Sequence, residues 1–296
     1  MNKGSLPPGR YDAHVHVIHG DPRPAEFAAG LKAAGISGCA LFTEDPDPVG
    51  PLSPTPLPPE QAIDSLFAWI DGAKNIFPFY WINPTVPEAC DLVDLALSKG
   101  IMGFKVLPGT FDPGDKRALP VYRKIAEADK PIMFHSGILW DGRYSSRYTR
   151  PGNYEALLEI PHLRFALAHV SWPWCDECIA VFGKLLNAYN MWGEEAPEMF
   201  IDLTPGTPAI YRREALTKLF TIGYDVFDHV LFGTDGMTPN YGPKWALEWQ
   251  ARDDAIYAEL GLPQKSIDSI YRTAFERFLF GSTDKNSDRH TPTQIQ

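Results

Sequence analysis

A chain of 296 residues, 44% hydrophobic and 22% charged, has the length and composition of one large α/β barrel or of two small globular domains. Its formal net charge of −10 sets the surface against nucleic acid and anionic lipid, so neither is an expected partner. No charged segment followed by an apolar run opens the chain and no apolar run approaches bilayer length; Cys39, Cys90, Cys175 and Cys178 are too few for a disulfide framework, and a cytoplasmic protein is expected.

The first strand is expected over residues 11–17. Alternation there puts Asp12, His14 and His16 on one face, where two neutral imidazoles can chelate a divalent ion. A helix over 24–34, stopped by Gly35, leads to an apolar strand over 36–43. The proline-rich stretch 45–59 excludes a central strand or helix interior and reads as an irregular loop over one end of the fold. Strand and helix then alternate: helices over 60–74, 87–99, 119–128, 153–160, 176–189 and 212–222, and strands over 76–83, 102–107, 131–135, 164–170, 199–203 and 230–235. Three further helices, over 243–260, 263–271 and 273–279, close the chain before a polar tail at 285–296.

Strands that are apolar throughout belong in a sheet covered on both faces, and helices between them imply parallel crossovers. Eight such units give a (β/α)8 TIM barrel as the fold class, spanning residues 1–284. A doubly wound open sheet is the alternative, but no Gly-x-Gly-x-x-Gly turn follows the first strand.

Catalytic groups of such barrels come from the C-terminal ends of the strands. Those ends carry His14, His16, Lys105, His135, His169, Asp202 and Asp235. Any one of these histidines could be a satisfied core residue. Four histidines and an aspartate at matching ends are harder to bury without a common partner.

The order Asp-x-His-x-His at 12–16, Phe-His-Ser-Gly at 134–137, Ala-His-Val-Ser at 168–171 and Leu-Phe-Gly-Thr-Asp at 231–235 resembles the amidohydrolase superfamily. More narrowly it is similar to the amidohydrolase-2 branch of semialdehyde and resorcylate decarboxylases and lactonases. The closing Thr-Ala-Phe-Glu-Arg-Phe-Leu-Phe, residues 273–280, also resembles that branch's last helix, with Thr273 in place of Asn. The resemblance implies one divalent metal, zinc or else manganese, held by His14, His16, His135 and Asp235. It also implies that Asp235 and His169 handle protons beside an activated water. In binuclear relatives a carbamylated lysine bridges two metals at the position of Lys105; in this branch a single metal is expected and Lys105 would hold a substrate carboxylate. Asp12 and Asp202 are expected to orient ligand histidines, with a solvent-facing Asp202 as the alternative.

The loop after the fifth strand interleaves arginines with aromatics, and Arg143 or Arg147 is expected to clamp an anionic substrate, with an ordinary solvated loop as the alternative. Trp172 is expected to line the pocket, and Cys175 and Cys178 to be structural. The functional expectation is a metal-dependent hydrolase of a small carboxylated lactone, ester or amide. Nonoxidative decarboxylation and a ligand-binding barrel without turnover are the alternatives. The partners implied are a small anionic substrate and, as in many relatives, a second copy of the chain.

Overall fold

The structure, a computed structural model, describes residues 5–18, 20–47 and 55–282. The tail expected at 285–296 and the middle of the proline-rich stretch lie outside them. The chain alternates β1 (Arg10–His16), α1 (Pro24–Ala33), β2 (Ile36–Phe42), α2 (Pro59–Ile70), β3 (Ile76–Trp81), α3 (Ala89–Ser98), β4 (Gly103–Val106), α4 (Leu119–Glu127) and β5 (Ile132–Phe134). It continues through β6 (Arg164–Leu167), α5 (Cys175–Trp192), β7 (Glu198–Asp202), α6 (Ala209–Thr221), β8 (Val230–Leu231), β9 (Gly236–Met237), α7 (Pro243–Glu259), α8 (Gln264–Asp268) and α9 (Ala274–Phe280).

The described strands form one parallel sheet in the order β8-β7-β6-β5-β4-β3-β2-β1-β9. β8 and β9 are two pieces of the eighth strand, β8 beside β7 and β9 beside β1. Between them the Ala13 N–H donates to the Phe232 carbonyl at 2.9 Å, so the sheet curls into a TIM-type barrel.

Strand side chains divide cleanly between two cores. Phe42, Phe79, Met133, Ala166, Phe200 and Leu231 fill the barrel. Their neighbours Leu41, Phe104, Val106, Phe134, Phe165, Leu167 and Ile201 face the helices. Phe275 and Phe278 of α9 plug the lower end of the barrel, the Phe278 ring stacking on Phe79. At that end Glu198 accepts from Arg277 Nε at 2.5 Å and pairs with His229 Nε2 at 3.1 Å.

Three expectations need correction. The segment expected as a helix at 153–160 is a 3-10 turn, Pro151–Glu159, with Tyr154 packed inward. The two last helices are one helical run in which Ser269–Thr273 forms a π turn. The sixth strand ends at Leu167, because His169, Val170 and Ser171 all adopt left-handed backbone angles that end strand pairing.

Candidate metal centre

β1 carries a bulge. Asp12 pairs with Cys39, but Val15 pairs with Leu41, so the first strand has one residue more than its partner. The extra residue changes which face the alternation selects. Tyr11 and Ala13 pack inside the barrel and Val15 packs outside, so His14 and His16 both face the interior. Asp12 therefore does not share their face. Its carboxylate accepts from Tyr241 Oη at 2.6 Å, from Thr234 Oγ1 at 2.5 Å and from the Thr234 and His14 N–H groups at 3.0 Å each. Burial pushes its pKa up to about 7 against these four donors. The expectation that Asp12 orients a ligand ring is corrected: it ties the first strand to the eighth.

His14 Nε2, His16 Nε2 and Asp235 Oδ1 converge. The two nitrogens are 3.1 Å apart, and the oxygen lies 3.2 Å from His16 and 3.7 Å from His14. Among the described residues these three offer one donor atom each within 4.8 Å of one another. Asp235 sits in the gap between β8 and β9, with φ 57°, rather than ending an unbroken strand. Gly233, two residues before it, is required by crowding: a Cβ there would stand 2.2 Å from Thr204 Oγ1 and 2.8 Å from Asp202 Oδ1.

Asp202 lies where alternation along β7 predicts, inside the barrel. Its Oδ2 accepts from His14 Nδ1 at 2.7 Å, and its Oδ1 accepts from the Thr204 N–H at 2.9 Å. A carboxylate at Nδ1 fixes that nitrogen as the protonated one and leaves the Nε2 lone pair facing the cluster. The end of β7 is itself braced by Arg212, whose Nη1 donates to the Leu203 carbonyl at 2.6 Å while its Nε and Nη2 hold Asp253 in a fully buried pair.

His135 follows β5 into the interior but is not one of the three convergent groups. Its ring lies 4.9 Å from that of His169, its Nε2 is buried without a hydrogen-bond partner among the described residues, and Tyr154 holds its carbonyl. His169 would face outward if β6 alternation continued past Ala168. The left-handed turn brings its ring to 5.4 Å from His14, into space left by Gly206, where a Cβ would stand 2.6 Å from the His169 Cβ. Such backbone costs of order 1–3 kcal/mol per residue and concentrates at functional sites.

Lys105 is buried beside His14, its Nζ 3.2 Å from Nε2, and burial pulls its pKa down to about 8 although Asp235, Asp202 and Asp45 favour the charged form. Burial lowers all four imidazoles: His14 and His135 well below the usual histidine range, and His16 and His169 below it, so all four are neutral near pH 7. Asp235 stays ionised. Burial would raise its pKa, but the His16 hydrogen bond opposes the rise and the group lies far below the carboxylate range.

Neutral nitrogen donors, one ionised carboxylate and an orphaned His135 Nε2 make a donor set suited to a borderline divalent cation such as zinc.

The arginine loop divides. Arg143 lines a cleft beside the centre, while Arg147 is exposed, bonds Tyr148 and lies over the Tyr148 ring at 4.4 Å. Arg147 is therefore not brought to the cleft. Neither is Trp172, which stacks between Trp140 at 6.2 Å and Tyr211 at 6.1 Å. Cys175 and Cys178 are free, buried thiols at the start of α5. Sequence reasoning missed Asp45 and Trp81, which line the cleft, and Thr204, Thr234 and Tyr241, which hold the two aspartates. The Thr-Glu-Asp run directly after the second strand was the available signal for Asp45.

A family model described as amidohydrolase matches residues 11–280. An amidohydrolase of Burkholderia multivorans with bound HEPES is similar in fold, with TM-score 0.60 and 11% identity over 92% of this chain and 99% of that one. A dihydroorotase of Campylobacter jejuni has TM-score 0.58 and 14% identity over 90% and 81%. An amidohydrolase 2 of Bifidobacterium longum subsp. infantis has TM-score 0.52 and 12% identity over 91% and 98%. No curated protein matches the sequence. Among the described residues no helix is long and apolar enough to cross a membrane.

Proposed function

Because the chain belongs to the amidohydrolase family, we propose that its barrel mouth is a hydrolytic centre built for one divalent ion, zinc first and manganese second. His14, His16, His135 and Asp235 hold the ion in this reading. The observation that carries it is the convergence of His14 Nε2, His16 Nε2 and Asp235 Oδ1 within 4.8 Å, with the unpartnered His135 Nε2 nearby.

Such an ion, when bound, polarises a carbonyl and lowers the pKa of a coordinated water toward 7. The residues around it then have distinct work. Asp202 keeps the His14 proton on Nδ1, so the ring stays a nitrogen donor. Asp235 is ionised and partly open, with its side chain 34% exposed, and it accepts the proton of the attacking water. His169, neutral and 5.4 Å from the His14 ring, is placed to donate its N–H to the developing oxyanion or to relay to the leaving group the proton that Asp235 takes from the water. Lys105 and Arg143 supply the positive charge for a substrate carboxylate. The substrate class is a small carboxylated lactone, ester or amide.

Elemental analysis of protein purified without chelator tests the centre. Near one equivalent of metal per chain, lost in His14→Ala, supports it. Two equivalents would overturn the single-ion reading, and none after incubation with zinc or manganese would overturn the centre itself. Acid release from substrate separates hydrolysis from decarboxylation, which would liberate carbon dioxide.

A further inference from the structure

A cleft opens beside the centre over the ends of β2, β3, β4 and β5, with Asp45, Trp81, Asn83, Thr110 and Arg143 in its wall. Trp81 connects it to the metal centre: the indole lies 5.4 Å from the His16 ring and 5.9 Å from Lys105 Nζ. Asp45 differs from the other charged groups of the wall, Asp47, Asp141 and Arg143, in being buried. It is only 3% exposed, and its Oδ1 accepts the Asp47 N–H at 2.9 Å, which fixes the orientation of the carboxylate. Oδ2 is buried and, among the described residues, has no donor.

Local structure does not need that second oxygen. The strand ends beside it are joined by other groups: Val17 N–H to the Phe42 carbonyl at 2.9 Å, Thr43 N–H to the Phe79 carbonyl at 3.0 Å and Trp81 N–H to Thr43 Oγ1 at 2.8 Å. An acceptor withdrawn from water and left without a donor is unfavourable for the fold, and such groups are retained where a ligand completes them. Burial pushes the Asp45 pKa up to about 6; the Asp47 N–H and, at longer range, Lys105 and Arg143 oppose the rise.

We propose that Asp45 is a specificity-determining residue whose Oδ2 accepts a hydrogen bond from a hydroxyl or amino group of the molecule cleaved at the metal centre. The substrate is then a hydroxy- or amino-substituted lactone, ester or amide, an assignment that rests on the hydrolytic reading above. A molecule lacking the donor leaves the buried oxygen unpaired, and sites built to pair such an oxygen discriminate strongly against it.

The test uses γ-butyrolactone, α-hydroxy-γ-butyrolactone, α-amino-γ-butyrolactone and their ring-opened acids as probes. Binding to the zinc-free and zinc-loaded full chain is measured by ligand-observed NMR for wild type and Asp45→Asn, together with the melting midpoint of each protein without ligand. The expected result is at least about tenfold tighter binding of the substituted probes to wild type, falling to within about twofold in Asp45→Asn, with a midpoint in the variant equal to or above that of wild type. Asn keeps the acceptor for the Asp47 N–H and turns the other group into a donor. Equal binding of plain and substituted probes to wild type, absence of binding by all of them included, overturns the proposal. So does a preference that survives in Asp45→Asn, or a lowered midpoint, which would make Asp45 a structural residue. Binding to the zinc-free chain is read without turnover and hydrolysis is read on the zinc-loaded chain, so a preference without hydrolysis would refute the hydrolytic reading alone, and hydrolysis without a preference would refute the role of Asp45 alone.

Discussion

Asp202→Asn replaces an oxygen by an NH2 group at the point where the carboxylate takes the Nδ1 proton of His14, 2.7 Å away. The other oxygen keeps its bond from the Thr204 N–H, so the side chain stays in place and presents a donor to a donor. His14 relieves the conflict by moving its proton to Nε2, the nitrogen that faces His16 and Asp235. A ligand that must shed or relocate a proton binds more weakly. Loss of such supporting groups commonly lowers metal affinity by about 10–100-fold, or about 1.4–2.7 kcal/mol. Competition against a fluorescent zinc chelator at fixed pH reads the affinity directly, and circular dichroism controls for folding. Zinc affinity within about twofold of wild type, in a folded Asp202→Asn protein, would refute the reasoning that the Asp202 carboxylate sets the His14 tautomer.

Gly233→Ala places a Cβ 2.2 Å from Thr204 Oγ1 and 3.0 Å from the His14 Cβ, so zinc content after purification is expected to fall well below wild type; retention of full metal content would show that the strand end can shift. Acid stability has a separate source. Burial raises the Glu198 pKa, but His229 and Arg277 outweigh it and the net shift is downward, so the ionised form stabilises the fold above the ordinary glutamate range and this contribution is lost as pH falls through the lowered folded value. In urea titrations from neutral pH downward, wild type is expected to lose stability below about pH 4.5, by up to about 1.4 kcal/mol per pH unit from this group. Glu198→Gln should show a correspondingly shallower slope, and identical slopes would remove Glu198 from the explanation.

The barrel was legible in the sequence because each of its strands is apolar enough to be buried on both faces. Lys105, His135 and Asp202 were legible for a simpler reason: each follows plain alternation from inward neighbours such as Met133 or Phe200. Asp12 was misread because alternation assumes an unbroken ladder, and the one-residue bulge in β1 lies between Asp12 and Val15. His169 reaches the centre through a left-handed turn that depends on Gly206, 37 positions downstream, a relation no local pattern expresses. Asp45 was hidden inside a stretch whose prolines drew the reading toward its backbone, although its importance lies in a side-chain oxygen.

Closure of the barrel also has a consequence in time. Asp12 and Thr234, which seal the ring, are 222 positions apart, and Asp235 comes one residue later still. At roughly 5–20 residues per second of synthesis, the two histidines of β1 wait about 10–45 s on the ribosome before the carboxylate that converges with them has been made. On the reading proposed above, the donor set for the metal is therefore complete only late in the synthesis of the chain.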